Sequence, residues 1–172
     1  MFWLFYPETL IVLLPALILA IYAQYKVRST YAKYLHIPIQ KKITAVRATE
    51  AILSQAGVSG VKIEGTERTL GDHYDPRSKA LRLSAPNSTS VAAVGVAAHE
   101  AGHAIQHAHG YAPLALRSTI VPVASFGSQL AFPLFFVGLF LQSEILVNIG
   151  IVLFAAAVFF TLVTLPVEFN AS

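Results

Sequence analysis

Two imidazoles four residues apart, with a carboxylate beside the first, stand in the run His99-Glu100-Ala101-Gly102-His103. On a helix, positions i and i+4 lie on one face, so both rings reach toward a single point. Neutral imidazoles aimed at one point suit a divalent metal, and Glu100 then lies within reach of a water held there. This H-E-x-x-H arrangement belongs to zinc-dependent peptide hydrolysis, with the glutamate as general base. The pattern is short enough to arise by chance, so the surrounding sequence must decide.

A catalytic zinc takes three protein ligands and leaves a fourth position open. His107 extends the row of histidines, but the rise from residue 99 to residue 107 is about 12 Å on a straight helix, too far for three rings to converge. His109 has the spacing of the long metzincin motif, yet Gln106 stands where that motif needs a glycine to turn the chain. Both read as solvated or interfacial histidines at a helix end, where the dipole suits imidazolium. Glu168 follows Pro166 at the exit of the last apolar stretch, and a carboxylate there is costly without a partner. The expected centre is one zinc ion on His99, His103 and Glu168.

The rest of the chain must bring these residues together, and its composition says how. Of 172 residues, 55% are hydrophobic and only 12% charged, with a mean hydropathy of +0.61, far too apolar for an ordinary soluble domain. All twelve Lys and Arg fall between Lys26 and Arg117, against six acids in that interval, a formal +6. The flanks carry only Glu8, Glu144 and Glu168. That is the layout of a membrane protein with one polar domain. There is no basic stripe with interleaved aromatics, so nucleic-acid binding is not indicated. With no cysteine, disulfides, thiolate zinc sites and cysteine nucleophiles are excluded.

Three stretches read as membrane spans. Thr9–Tyr25 is apolar over 17 residues, extendable through Phe2–Phe5, with Trp3, Tyr6, Tyr22 and Tyr25 as interfacial anchors. It lacks the basic start and small-residue cleavage site of a signal peptide. Thr119–Leu141 and Ile145–Val167 are uncharged runs of 23 residues each, about 34 Å as helix against a roughly 30 Å hydrocarbon core. Gln142-Ser143-Glu144 joins them in a tight hairpin. Polar groups inside these two spans are confined to Gln129 and Asn148 plus hydroxyls, which argues against a transport pathway. The basic middle segment places residues 26–118 in the cytoplasm and the hairpin turn outside, returning Glu168 to the side that holds His99 and His103.

Within that domain, Gln40–Ala56 reads as an amphipathic helix stopped by Gly57. Val58–Glu64 reads as a strand, and Leu70–Asp75 with Ala80–Ser84 as a hairpin around Pro76-Arg77-Ser78-Lys79. After Pro86, Asn87 or Ser88 caps a buried helix running to His109, ended by Gly110. Two histidines and a glutamate on such a helix are costly unless paired or bound to metal. The fold expected is an α-helical integral membrane protein with a small α+β zincin-like cytoplasmic domain and three transmembrane helices. The domains are 1–25, 26–118 and the hairpin 119–167, with 168–172 opening a further helix that the chain cuts short.

Three separated motifs carry a family resemblance: His99-Glu100-Ala101-Gly102-His103-Ala104-Ile105-Gln106, Asp72-His73-Tyr74-Asp75-Pro76-Arg77 with Leu81-Arg82-Leu83-Ser84, and Thr164-Leu165-Pro166-Val167-Glu168-Phe169-Asn170-Ala171-Ser172. In that order they resemble the YugP-type neutral zinc metallopeptidases of bacterial membranes. More distantly the chain is similar to HtpX and the CAAX prenyl proteases. The resemblance implies His99, His103 and Glu168 as zinc ligands, Glu100 as base, and the 70–84 hairpin as an edge strand for an extended substrate. The distant relatives carry Asp where this chain has Ser172, which at i+4 from Glu168 offers a weaker outer hydrogen bond.

The function expected is a membrane-embedded zinc endopeptidase of gluzincin type, acting on peptides or membrane-protein segments near the bilayer. The rival is an inactive membrane scaffold or chaperone-like protein that keeps the metal for structure, which a fourth protein ligand such as His107 or His73 would favour.

Overall fold

A computed structural model describes residues 7–68 and 71–172, which form five α-helices and three short strands. Trp3, Tyr6, the Phe2–Phe5 extension and Leu70 at the start of the expected hairpin lie outside those residues. Helix α1 spans Pro7–Leu35, so the helix expected to Tyr25 continues well past it into the basic segment. The chain then runs along the loop that precedes the metal-motif helix: the Val91 N–H donates to Ile37 O (2.8 Å) and the Ile39 N–H to Thr89 O (2.9 Å).

Helix α2 is Ala45–Gln55, shorter at its start than the expected 40–56. Lys42 adopts φ 48°, outside helical geometry, and the Thr44 hydroxyl accepts the Arg47 N–H at 3.3 Å as the cap. Gly57, at φ 70°, ends the helix as expected. Strands β1 (Lys62–Gly65), β2 (His73–Asp75) and β3 (Ala80–Leu83) form one sheet in the order β1-β3-β2. β3 runs parallel to β1 and antiparallel to β2, which is therefore an edge.

The motif residues around β2 fasten that edge. Asp72 accepts both the Ser84 N–H (2.8 Å) and the Ser84 hydroxyl (2.6 Å), closing the open end of the hairpin. Asp75 accepts the Ser78 hydroxyl (2.6 Å) and the Arg77 N–H (2.9 Å) across the proline turn. The Ser78 hydroxyl, ahead of the Arg77 amide, holds the Asp75 carboxyl below its usual range.

Helix α3 (Val91–Ala108) carries the metal motif. Its cap is Ser90, whose hydroxyl accepts the Ala93 N–H at 3.2 Å, not Asn87 or Ser88; the Ser88 hydroxyl instead accepts the Ser90 N–H. α3 is buried on one face only. Ala93, Ala97, Ala101 and Ala104 pack against Leu53, Leu81 and Leu83 from α2 and β3, while Gly95 is exposed. The other flank faces a cleft. Gly110, at φ 66°, terminates the helix region as expected and leads directly into α4.

Helices α4 (Ala112–Phe140) and α5 (Glu144–Ala171) are, among the described residues, the two long and apolar enough to cross a membrane. Both outrun the apolar stretches read from sequence. α4 begins before Thr119, because Pro113 starts a helix well, and so takes in Arg117. α5 passes through Pro166 to Ala171, so Glu168 sits in its last turns and not in a separate segment. The two pack along their length. Gly138 lies against Leu146 and Val147, and Gly150 against Ala131 and Phe135, where any Cβ would collide. Phe126, Phe136, Phe140 and Phe159 face outward.

Losing the Asp72 clamp leaves the Ser84 amide without its carboxylate. Asp72→Ala should cost about 2–3 kcal/mol and lower the Tm of the detergent-solubilised protein, while Asp72→Asn retains part of the loss.

Candidate metal centre

Strand β2 and helices α3, α4 and α5 converge at a cleft of about 980 Å³, with Tyr74, Glu100, His103, His107, Arg117 and Glu168 on its walls. Three residues there offer ligand atoms within 4.8 Å of one another: His99, His103 and Glu168. His99 Nε2 lies 3.1 Å and His103 Nε2 3.4 Å from Glu168 Oε2. The ring centroids of the two histidines are 4.8 Å apart, edge to face. Bonds of about 2.0–2.1 Å to a tetrahedral zinc separate neighbouring donors by about 3.3–3.4 Å. The two His–Glu separations are close to that edge.

The far side of each ring fixes what the near side presents. His103 Nδ1 is 3.0 Å from Gln106 Oε1, an acceptor, so Nδ1 carries the proton. The Gln106 amide is itself oriented by donating from Nε2 to Val167 O (2.9 Å) and Asn170 Oδ1 (2.8 Å). His99 Nδ1 is 2.8 Å from Ser172 Oγ, whose hydroxyl donates to Glu168 O at 3.3 Å, so here too Nδ1–H is the donor. In their neutral forms, both rings therefore turn an Nε2 lone pair toward Glu168 Oε2. Acceptors at these distances repel unless a cation lies between them, so the donor chemistry fits a metal ion.

The carboxylate is held from the other side as well. Arg117 Nη2, from the first turns of α4, is 2.6 Å from Glu168 Oε1, leaving Oε2 for the histidines. Close approach of α5 to α3 depends on Gly102: a Cβ there would overlap the Ala171 carbonyl. The glycine inside the H-E-x-x-H run is thus a contact point between the two helices that carry the candidate ligands.

Glu100 stands apart from the ligand trio. Its Oε2 accepts the Tyr74 N–H at 2.9 Å, so the edge strand orients it. His107, expected as a solvated or interfacial residue at a helix end, is half-buried on the cleft wall, with its Nδ1 2.8 Å from Tyr74 Oη. It does lie in the last turn of α3, and what the sequence did not show is that β2, distant along the chain, lies across that turn. His109 is exposed at the C-terminal cap of α3, as its position suggested. His73 donates from Nδ1 to Gly71 O (2.8 Å), and its Nε2 accepts from Arg82 (3.2 Å). Burial, with a smaller contribution from the Asp75 charge, pushes the Tyr74 phenol above its usual range.

Sequence reasoning brought out His99, Glu100, His103 and Glu168 but passed over Gln106 and Arg117. Gln106 had a signal, since it follows His103 by three residues on the same helix face. Arg117 had a weaker one: it is the last cation before the apolar run, at the same boundary as Glu168.

Two histidines and a glutamate converging beside a second, strand-oriented carboxylate make the donor layout of a zinc peptidase, here at the foot of two membrane-length helices. The chain belongs to the family described as "Putative neutral zinc metallopeptidase", whose model matches residues 9–172. It is 46% identical over 159 residues, spanning 91% of this chain and 71% of the relative, to the "Putative membrane protease YugP" of Bacillus subtilis (strain 168). No solved structure matches the chain.

If Gln106 sets the His103 tautomer, Gln106→Ala should weaken zinc binding about 10–100-fold, measured by chelator competition. Gly102→Ala should lose more, because it separates α5 from α3, while helix content by circular dichroism stays near the parent value.

Proposed function

We propose that the protein is a membrane-embedded zinc endopeptidase in which His99, His103 and Glu168 hold one catalytic ion and Glu100 is the general base. The observation that carries this reading is the convergence of three ligand atoms within 4.8 Å of one another, with a strand-oriented carboxylate outside the trio on the same cleft. Bound there, zinc supplies Lewis acidity, polarising a peptide carbonyl and acidifying water. Glu100 takes a proton from the water that adds to the carbonyl carbon and passes it to the leaving nitrogen as the C–N bond breaks. The Tyr74 N–H keeps the Glu100 carboxylate facing the cleft. Arg117 keeps one oxygen of Glu168 occupied, which disfavours bidentate capture of the metal and preserves the open position.

The substrate runs along β2, an edge strand at the cleft. Tyr74 has its N–H engaged by Glu100, so a substrate strand registers on the outward carbonyl of this residue. The cleft continues up α4 past Thr119 to Val121 and Pro122, into the apolar run. That continuity supports peptide or membrane-protein segments close to the bilayer as substrates. α1 provides a third span, the lipid bilayer is the permanent partner, and no nucleic acid is involved. The Lys and Arg distribution places the catalytic domain on the cytoplasmic side of a multi-pass cell-membrane protein.

A structural site would be closed by four protein ligands. Among the described residues the cluster has three, and the two histidines that could close it, His73 and His107, are hydrogen-bonded elsewhere. This favours hydrolysis over the scaffold reading.

Glu100→Gln should keep stoichiometric zinc yet reduce cleavage of casein or a membrane-derived peptide by at least about a thousandfold, a loss in keeping with removal of a general base. Glu168→Ala should lose zinc. Undiminished cleavage by the first variant rejects the base; undiminished zinc in the second rejects the third ligand.

A further inference from the structure

We infer that Tyr74 is a second catalytic residue, its hydroxyl donating a hydrogen bond to the oxyanion that forms on the scissile carbonyl, with His107 as the residue that positions it. This rests on the peptidase reading above and adds to it the donor that such a reaction requires. Amide hydrolysis develops negative charge on the carbonyl oxygen, and a preorganised donor beside that oxygen acts on the transition state more than on the ground state.

The placement follows from the strand. Tyr74 gives its N–H to Glu100 and its hydroxyl meets His107 Nδ1 at 2.8 Å. Residues 100 and 107 are about 10 Å apart along a helix axis. The phenol side chain therefore lies along α3 from the base past the turn that bears His103, on the wall of the cleft. The rings of Tyr74 and His107 are 5.8 Å apart and tilted.

Elimination among the cleft walls points the same way. Ser118 and Thr119 both donate their hydroxyl protons to Ala115 O (2.9 and 3.1 Å). Arg117 is committed to Glu168 at 2.6 Å. His73 is bonded at both nitrogens. Arg77 stands on the turn beyond the end of β2. Tyr74 remains as a neutral donor on an element packed against α3.

His107 decides which way the phenol proton points. With its proton on Nδ1, His107 donates to Tyr74 Oη and leaves the phenol hydrogen free for substrate. The phenol, pushed upward by burial and by Asp75, stays protonated across the working pH range and so stays a donor.

The test uses full-length protein in detergent. Tyr74→Phe removes one oxygen and leaves the backbone bond to Glu100 in place. It should lower kcat about 10²–10³-fold with KM within about twofold of the parent and zinc content unchanged. A phosphinic peptide, whose tetrahedral oxygens mimic the oxyanion, should bind Tyr74→Phe more weakly by a similar factor. The matching plain peptide, measured on Glu100→Gln with and without Tyr74→Phe, should bind equally to both. His107→Gln, which keeps an N–H donor, should retain more activity than His107→Ala. Tyr74→Phe within twofold of a cleaving parent in kcat overturns the assignment of Tyr74 alone. A zinc-loaded parent that neither cleaves peptides nor prefers the phosphinic ligand overturns this assignment together with the peptidase reading.

Discussion

Three lone pairs held face to face are the constraint on which the other features of this chain depend. Left to themselves, two imidazole nitrogens and a carboxylate oxygen at 3.1 and 3.4 Å would turn away from one another or capture a proton. Each is prevented from turning by a bond on its far side. Ser172 holds His99, Gln106 holds His103, and Arg117 holds Glu168. The cost of aligning the donors is thus met in folding, before any cation arrives. Consistent with that, no buried side-chain nitrogen or oxygen among the described residues lacks a hydrogen-bond partner.

Small residues make the alignment sterically possible. An alanine face on α3 lets α2 and the sheet sit close behind the metal motif. Gly102 lets the end of α5 come against α3, and Gly138 and Gly150 let α5 run tightly along α4. Because α4 follows α3 after a short link, these contacts tie the membrane hairpin to the motif helix at two places. Glu168 arrives from one helix of the hairpin and its arginine from the other. The site is therefore assembled by the hairpin as much as by the polar domain, which is how Glu168 meets His103 and His99 across 65 and 69 residues of chain.

What was legible in the sequence was what is local or what a membrane forces. Helical spacing alone puts His99 and His103 on one face. The pairing of two apolar runs of equal length returns Glu168 to their level, since a hairpin of two such helices must come back to where it started. The hairpin around Pro76 and the glycine stops after α2 and α3 were readable because their turn chemistry lies within a few residues. The helix starts of α2 and α4 were missed for local reasons, but the other misses involve partners far along the chain. Ser90 outcompeted Asn87 and Ser88 as cap because the strand-like contacts of Ile37 and Ile39 fix the loop before α3. The partner of His107 was not legible because nothing nearby reveals that Tyr74 crosses it. Arg117 was counted only as a topological charge because its partner lies on the other helix of the hairpin.

The same long-range logic explains why the Asp72–Asp75 and Leu81–Ser84 motifs accompany a metal motif that they do not ligate. In the proposed mechanism Glu100 can act only if its carboxylate points into the cleft, and among the described residues the Tyr74 N–H is the hydrogen bond that holds it there. Tyr74 in turn sits on a three-residue edge strand, too short to be stable by ladder bonds alone. Asp72 pins one end of that strand through Ser84, and the Asp75 turn pins the other, with Arg82 bridging Glu64 and Asp75 across the sheet. These residues hold the strand, and the strand holds Glu100. A peptide laid along β2 would then be registered by the same backbone that aims Glu100, so that substrate position and proton acceptor are set by one element and not by two that must be brought into agreement.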